Sequence, residues 1–176
     1  MIHPRVLTTS RESASKKGRG EWLGFLPTRN CLDRSSLYVF TDGSTKGSFA
    51  AVYVRGADPA VAVEERVEFK EPTGTKNMGA EWNGLLLALG HAPKGSKLVV
   101  VSDLLWLGAT VVGARKAEHP ELVESLRQAK ETIEQRGLEV RFVHHEGHQK
   151  DESDFTRWNV RADELCKARG REAAKK

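Results

Sequence analysis

Only two cysteines, Cys31 and Cys166, occur among the 176 residues. Two thiols cannot build a disulfide framework, so the chain has to be held by an apolar core, and a reducing, cytoplasmic setting is expected. No apolar run is long enough to cross a bilayer, and mean hydropathy is negative, so no membrane partner is expected. The N-terminus lacks the apolar stretch that heads a secreted precursor. It is rich in Arg and Ser, as transit peptides are, but Glu12 and Glu21 argue against that reading. Internal repeats and coiled-coil seams are also missing. The expectation is a monomer built on one domain, for which this length is sufficient.

Charge is distributed unevenly. Residues 1–36 hold seven Lys/Arg and three Asp/Glu, and residues 167–176 hold five basic residues and one acid. The body between them, 37–166, carries sixteen basic and twenty acidic residues. An acidic body attracts divalent cations, whereas basic ends can hold phosphate backbones through counterion release. Solvated termini are the plain alternative. Residues 1–36 mix Ser, Lys, Gly and Arg around Trp22, Leu23 and Phe25 without a period, and read as a mostly disordered basic extension with at most a short docked segment. The folded domain is expected over 37–170, followed by a basic tail at 171–176.

Regular structure begins at Leu37. The β-branched and aromatic run Leu37–Thr41, the run Ser48–Arg55 and the alternating run Ala60–Phe69 are joined by short Asp, Gly, Ser and Pro connectors. They form an antiparallel meander of three strands. Met78, Trp82, Leu85, Leu86 and Leu89 then recur at helical spacing. Leu98–Val101, in the strand-like run Leu98–Ser102, is apolar on consecutive positions, as in a strand covered on both faces. A short helix follows over 104–113, and a longer one starts at Pro120 and stops at Gly137. Leu138–His144 reads as a fifth strand and Phe155–Ala168 as the last helix. This order describes an α/β protein with a mixed five-stranded sheet and helices on its faces.

Four acids stand out within that frame. Asp42 ends the first strand-like run and opens the turn Asp42-Gly43-Ser44. Glu81 lies on the apolar helix, Asp103 closes the fourth strand, and Asp163 sits on the last helix four residues after Asn159. If the fourth strand runs parallel beside the first, Asp42 and Asp103 emerge together on the carboxyl edge where such sheets bind ligands. Glu81, beside the stripe facing the sheet, is costly to desolvate unless it is paired or binds a metal. Each acid also has an ordinary explanation: a hairpin turn for Asp42, a helix N-cap for Asp103, a flanking or surface charge for Glu81 and Asp163. Needing all four explanations at once favours a shared site. Together with His145 and His148, the acids point to metal-dependent hydrolysis of nucleic acid. Oxygen donors suit Mg²⁺ or Mn²⁺, and two His without a nearby Cys argue against Zn²⁺.

The segments Tyr-Val-Phe-Thr-Asp42-Gly-Ser, Asn77-Met-Gly-Ala-Glu81-Trp, Val-Val-Val-Ser-Asp103, His145-Glu-Gly-His148 and Asn159-Val-Arg-Ala-Asp163-Glu-Leu resemble, in order and spacing, the type 1 ribonuclease H family over residues 37 to about 170. The resemblance implies a sheet of three antiparallel strands followed by two parallel ones. It also implies endonucleolytic cleavage of the RNA strand of an RNA–DNA hybrid, leaving 5′-phosphate and 3′-hydroxyl ends. The implied cofactor is Mg²⁺, with Mn²⁺ as the alternative, at two ions per active site. By similarity Asp42, Glu81 and Asp103 hold the first ion, Asp42 and Asp163 the second, and His145 matches a mobile histidine that shuttles protons or assists product release. Recognition of 2′-hydroxyls is expected from Asn77, with Gly43, Ser44 and Asn159 contributing. His144 and His148 are given structural roles.

Three departures from the family pattern stand out. Met78 replaces an Asn that often follows Asn77, which thins the 2′-hydroxyl contact. The basic, Trp-rich protrusion of many bacterial members is absent, which leaves Arg115, Lys116 or the basic ends to grip substrate. The segment Gln149–Trp158 is longer than usual and contains Asp151, Glu152 and Asp154, as a flap, an insertion or a source of an alternative ligand. Two other readings are a silent binding module of the same fold and a strand-transfer enzyme on a related fold. The first normally lacks an acid, and the second places its third acid differently and lacks the Asn159–Asp163 and His145–His148 pairs.

Overall fold

The computed structural model describes residues 32–147 and 150–175. Residues 1–31 of the expected extension, together with His148, Gln149 and Lys176, lie outside the described residues. The elements run β1 (Leu37–Gly43), β2 (Ser48–Arg55), β3 (Asp58–Phe69), α1 (Lys76–His91), β4 (Lys97–Ser102), α2 (Leu105–Val111), α3 (Pro120–Arg136), β5 (Glu139–His144) and α4 (Asp154–Ala173). They form one sheet in the order β3-β2-β1-β4-β5. The β1–β2 and β2–β3 pairs are antiparallel, and the β1–β4 and β4–β5 pairs are parallel. This is the expected mixed sheet.

Local chemistry explains most boundaries. Pro120 occupies the first turn of α3, His119 Nδ1 accepts the Glu121 N–H at its start, and Gly137 ends it at φ 62°, a left-handed value natural to glycine. Ser153 caps α4 by accepting the Thr156 N–H at 3.2 Å. Asp151 in turn accepts from the Ser153 N–H and hydroxyl, and Asp154 sits in the first turn of α4, so two acids of the long segment serve the helix start.

Two expectations are corrected. Asp42 does not open a turn: β1 continues through Asp42↔Ala50 and Gly43↔Phe49, and the turn proper is Ser44–Gly47, closed by Gly47 N–H to Ser44 O at 2.8 Å. The ladder outlasts the apolar run because β2 supplies partners for two more residues. The last helix runs to Ala173 rather than Ala168, which absorbs residues 171–173 of the expected tail. Its final turns rest on β2, where Ser48 Oγ donates to Cys166 O at 2.7 Å and Gly170 lies close to the same hydroxyl. Leu32 is buried and the Asp33 N–H donates to Tyr38 Oη at 2.6 Å, so a short piece ahead of β1 is docked on the domain.

The sheet divides two cores. On one face Val39, Tyr53, Val100 and Phe142 pack against Trp82, Leu85 and Leu89 of α1 and Ile133 of α3. On the other, Phe40, Val52, Val99 and Val101 pack against Phe155, Trp158 and Ala162 of α4. Helix α1 approaches β1 unusually closely. A Cβ on Gly43 would stand 2.3 Å from the Ala80 carbonyl carbon and 2.4 Å from the Glu81 nitrogen, and one on Gly84 would stand 3.1 Å from Asp42 O. Two glycines therefore let the helix lie on the end of the strand.

Gly43→Ala should cost about 3 kcal/mol of stability, because backbone rather than a yielding side chain occupies the space. Gly74→Ala, whose Cβ would meet nothing within 4 Å, should stay within about 0.5 kcal/mol of wild type. Urea unfolding of both variants measures this, and equal midpoints would refute the close-packing argument.

Candidate active site

Each acid is delivered by a different element. The parallel register pairs Phe40 with Val101, so Asp42 and Asp103 each lie two residues beyond the same rung and emerge side by side. Glu81 reaches them from α1 because Gly43 admits the helix. One carboxylate oxygen from each of Asp42, Glu81 and Asp103 lies within 4.8 Å of the other two. Asp163, on the inner face of α4, stands outside that triad but lines the same cavity of about 240 Å³. Gly43, Ser44, Asn77, Asn159, Gly147, Val160, Cys166 and Lys167 complete the lining. All four acids and the four expected substrate-contacting residues thus meet around one cavity.

The ordinary explanations do not describe Asp42, Asp103 or Glu81. Asp42 is a strand residue rather than a turn residue, and α2 has Leu104 at its N-cap with no side-chain cap, while Ser102 Oγ accepts the Leu104 N–H. Glu81 is 3% exposed, and its Oε2 is buried with no hydrogen-bond partner among the described residues. Burial, followed by the charges of Asp42 and Asp103, pushes the Glu81 carboxyl well above the usual range, against a hydrogen bond from the Gly43 N–H. Burial likewise lifts Asp42 to about 6, helped by Asp103 and Asp163. Crowded carboxylates with an orphaned oxygen suit a hard divalent cation, which would relieve the repulsion and satisfy that oxygen.

His145 is placed differently from the acids. It is buried, its Nε2 lies 3.1 Å from Thr156 Oγ1, its ring is tilted against Phe155, and it is not among the residues lining the cavity. Burial holds its imidazole below the ordinary pKa. His144 points its Nε2 at Asp103 O, 2.9 Å away, and so braces the end of β4, in keeping with a structural role. Asp151, Glu152 and Asp154 are also absent from the lining.

Sequence reasoning missed three participants. Lys167 Nζ donates to Asp163 Oδ2 at 2.6 Å; the i, i+4 spacing was the available signal. Cys166 is buried beneath the cavity with its thiol donating to Asp42 O at 3.4 Å, and burial next to Asp42 and Glu81 keeps it protonated. Gly147 passes so close to Asp103 that a Cβ would stand 2.8 Å from Oδ2. Neither of these two contacts has a local sequence signature.

No family profile and no curated protein matches the sequence. Solved structures do match in three dimensions. Ribonuclease H1 of the halophilic archaeon Halobacterium salinarum superposes with a TM-score of 0.61 at 20% identity over 75% of this chain and 95% of that one. The N-terminal ribonuclease H domain of a Mycobacterium tuberculosis protein gives 0.61 at 19% identity over 80% and 97%. LC11-RNase H1, isolated from compost and crystallised with an RNA/DNA hybrid, gives 0.63 at 20% identity over 79% and 99%. The chain therefore has the ribonuclease H fold.

The raised Asp42 carboxyl has a consequence for the metal-free protein. A carboxyl with a folded pKa of about 6 and an unfolded pKa near 4 binds its proton more tightly when folded. Its contribution is thus favourable at low pH and is lost as pH rises from about 4 through 6. The loss is of order 2 kcal/mol. Asp42→Asn cannot ionise, so in EDTA it should be about 1–2 kcal/mol more stable than wild type at pH 7, with the gap closing towards pH 4. Urea unfolding across that range measures the gap; a pH-independent gap would mean that the carboxyl titrates normally.

Proposed function

We propose that this protein is a ribonuclease H that cleaves the RNA strand of RNA–DNA hybrids by metal-dependent phosphodiester hydrolysis. The observation that carries the reading is the buried Glu81, with its unpartnered oxygen, held against Asp42 and Asp103 at the carboxyl edge of the sheet. Such a group is expensive unless a cation shares it. LC11-RNase H1, which has the same fold, was crystallised with an RNA/DNA hybrid, and this supports the choice of substrate.

In this reading Asp42, Glu81 and Asp103 would hold one Mg²⁺ or Mn²⁺, and Asp42 and Asp163 a second. Bound ions of this kind supply Lewis acidity, an activated water and stabilisation of the leaving 3′-oxygen, which leaves 5′-phosphate and 3′-hydroxyl ends. The protein's part is to hold the carboxylates rigidly and to seat the strand. Asn77, exposed at the cavity rim, and Asn159, buried in its wall, offer amides to 2′-hydroxyls and phosphates. Ser44 adds a hydroxyl at the cavity wall, beside Gly43, whose backbone is packed against α1. Lys167 holds Asp163 through its Nζ and would have to share that carboxylate with a second ion. His145 assists proton transfer or product release, which requires its ring to leave Thr156. Without a protrusion, Arg115, stacked 3.7 Å over the exposed Trp106, joins Lys116 in holding the backbone of the substrate.

A labelled hybrid incubated with Mg²⁺, Mn²⁺ or EDTA tests the reading, with DNA and RNA duplexes as controls. Cleavage should require the metal, prefer the hybrid and fall at least about a hundredfold in Asp42→Asn. Binding of the hybrid without cutting in any metal would leave a binding module, and cutting of plain DNA duplex would point to a strand-transfer relative.

A further inference from the structure

Asn77 is the second residue of α1, and the turn that delivers it, Thr73–Lys76, is held from outside the cavity. Glu121, in the first turn of α3, accepts on a single oxygen, Oε2, from Thr73 Oγ1 at 2.6 Å and Thr75 Oγ1 at 2.9 Å. The start of its own helix is capped by His119, which accepts the Glu121 N–H, while the Glu121 carboxylate bonds the two threonines. Thr75 in turn occupies the N-cap position of α1 without capping it; its hydroxyl is spent on Glu121. Gly79 makes room for this arrangement, since a Cβ there would stand 2.4 Å from Thr75 Oγ1.

The backbone of the turn is strained. Lys76 has φ 47°, the only positive value at a non-glycine residue among the described residues. A left-handed lysine persists where its surroundings impose it. Those surroundings are the Lys76 N–H bonded to Thr73 O at 3.0 Å, the Met78 N–H bonded to Thr75 O at 3.2 Å, and the carboxylate that pins both threonines. The strained residue immediately precedes Asn77, so the conformation of the turn sets where that amide stands at the cavity mouth.

We infer that Glu121 is a positioning residue for strand recognition: by clamping Thr73 and Thr75 it fixes Asn77 for contact with the ribose 2′-hydroxyls of the bound strand. Glu121 itself does not line the cavity. The inference rests on the reading of Asn77 given under Proposed function, and its two arms fail separately.

The first arm is amide hydrogen exchange, which does not depend on activity. Glu121→Ala should speed exchange at Lys76 and Met78 by about fivefold or more while amides in β1 and β4 keep their protection. Glu121→Gln, which retains an acceptor oxygen, should restore most of it. The second arm is binding of an RNA–DNA hybrid and of a DNA duplex of the same sequence, with kcat and KM for the hybrid. Glu121→Ala should weaken hybrid binding and raise KM by about three- to tenfold, leave kcat within about twofold, and leave DNA duplex affinity unchanged. In an Asn77→Ala background it should add nothing. Unchanged exchange at Lys76 and Met78 would overturn the clamp whatever the substrate proves to be. Faster exchange with equal losses on hybrid and DNA duplex, or a full further loss on top of Asn77→Ala, would overturn the link to recognition. Hybrid binding that Asn77→Ala leaves intact would overturn that link as well, through the role given to Asn77. Should Glu121→Ala fail to fold, Thr73→Val removes the shorter of the two bonds and is read in the same way.

Discussion

Mutual repulsion among three carboxylates is the constraint on which the rest of this structure depends. Their oxygens lie within 4.8 Å of one another, and Glu81 is almost wholly removed from water. Left to itself, such a cluster would spread or protonate. It is held together because each acid stands on an element that cannot move without disrupting a core. Asp42 and Asp103 are fixed by the parallel ladder of β1 and β4, and Glu81 by Trp82 and Leu85, its neighbours on the buried face of α1. The geometry is rigid at the expense of stability, and a divalent cation bound there would reverse the sign of that term.

The site divides into a floor and a rim with different physics. The floor, Asp42, Glu81 and Asp103, comes from interior strands and a buried helix, where a displacement of an ångström would open a core. The rim comes from exposed or half-exposed places: Ser44 after the end of β1, Asn77 at the start of α1, Lys167 and Asp163 on α4. Rim geometry depends on individual polar contacts, such as Ser48 to Cys166 under α4 and the threonines bound to Glu121. Contacts of this size are worth little to global stability, yet they decide where an amide or a carboxylate points.

The region from α2 to α3 has a related lesson. The connector 112–119 carries no regular element, and Arg115 lies over Trp106 instead of extending on a separate arm. Beside it a second cavity of about 170 Å³ is floored by Met78, Trp82 and Leu107 and ends one residue from Asn77.

Strand and helix positions were legible from the sequence because apolar periodicity is a local property. The β-branched run at Leu37, the stripe Met78–Leu89 and the Pro120–Gly137 pair each report the backbone that contains them, and the helix between β1 and β4 allows the parallel pairing that the structure shows. The sequence alone therefore determined the succession of strands and helices and singled out four acids as candidates for one site. Whatever depended on close approach between distant segments was decided only by the tertiary structure. Gly43, read as a substrate contact, also lies against the backbone of α1. Asp42 appeared to open a turn, but β2 extends the ladder past it. His145, matched to a mobile histidine, is stowed against Thr156, and Glu121 reaches across 46 residues to Thr75. Periodicity states which face of an element is buried; it does not state how near two backbones come or which partner a polar side chain finds. Those distances emerge only when both cores are packed at once.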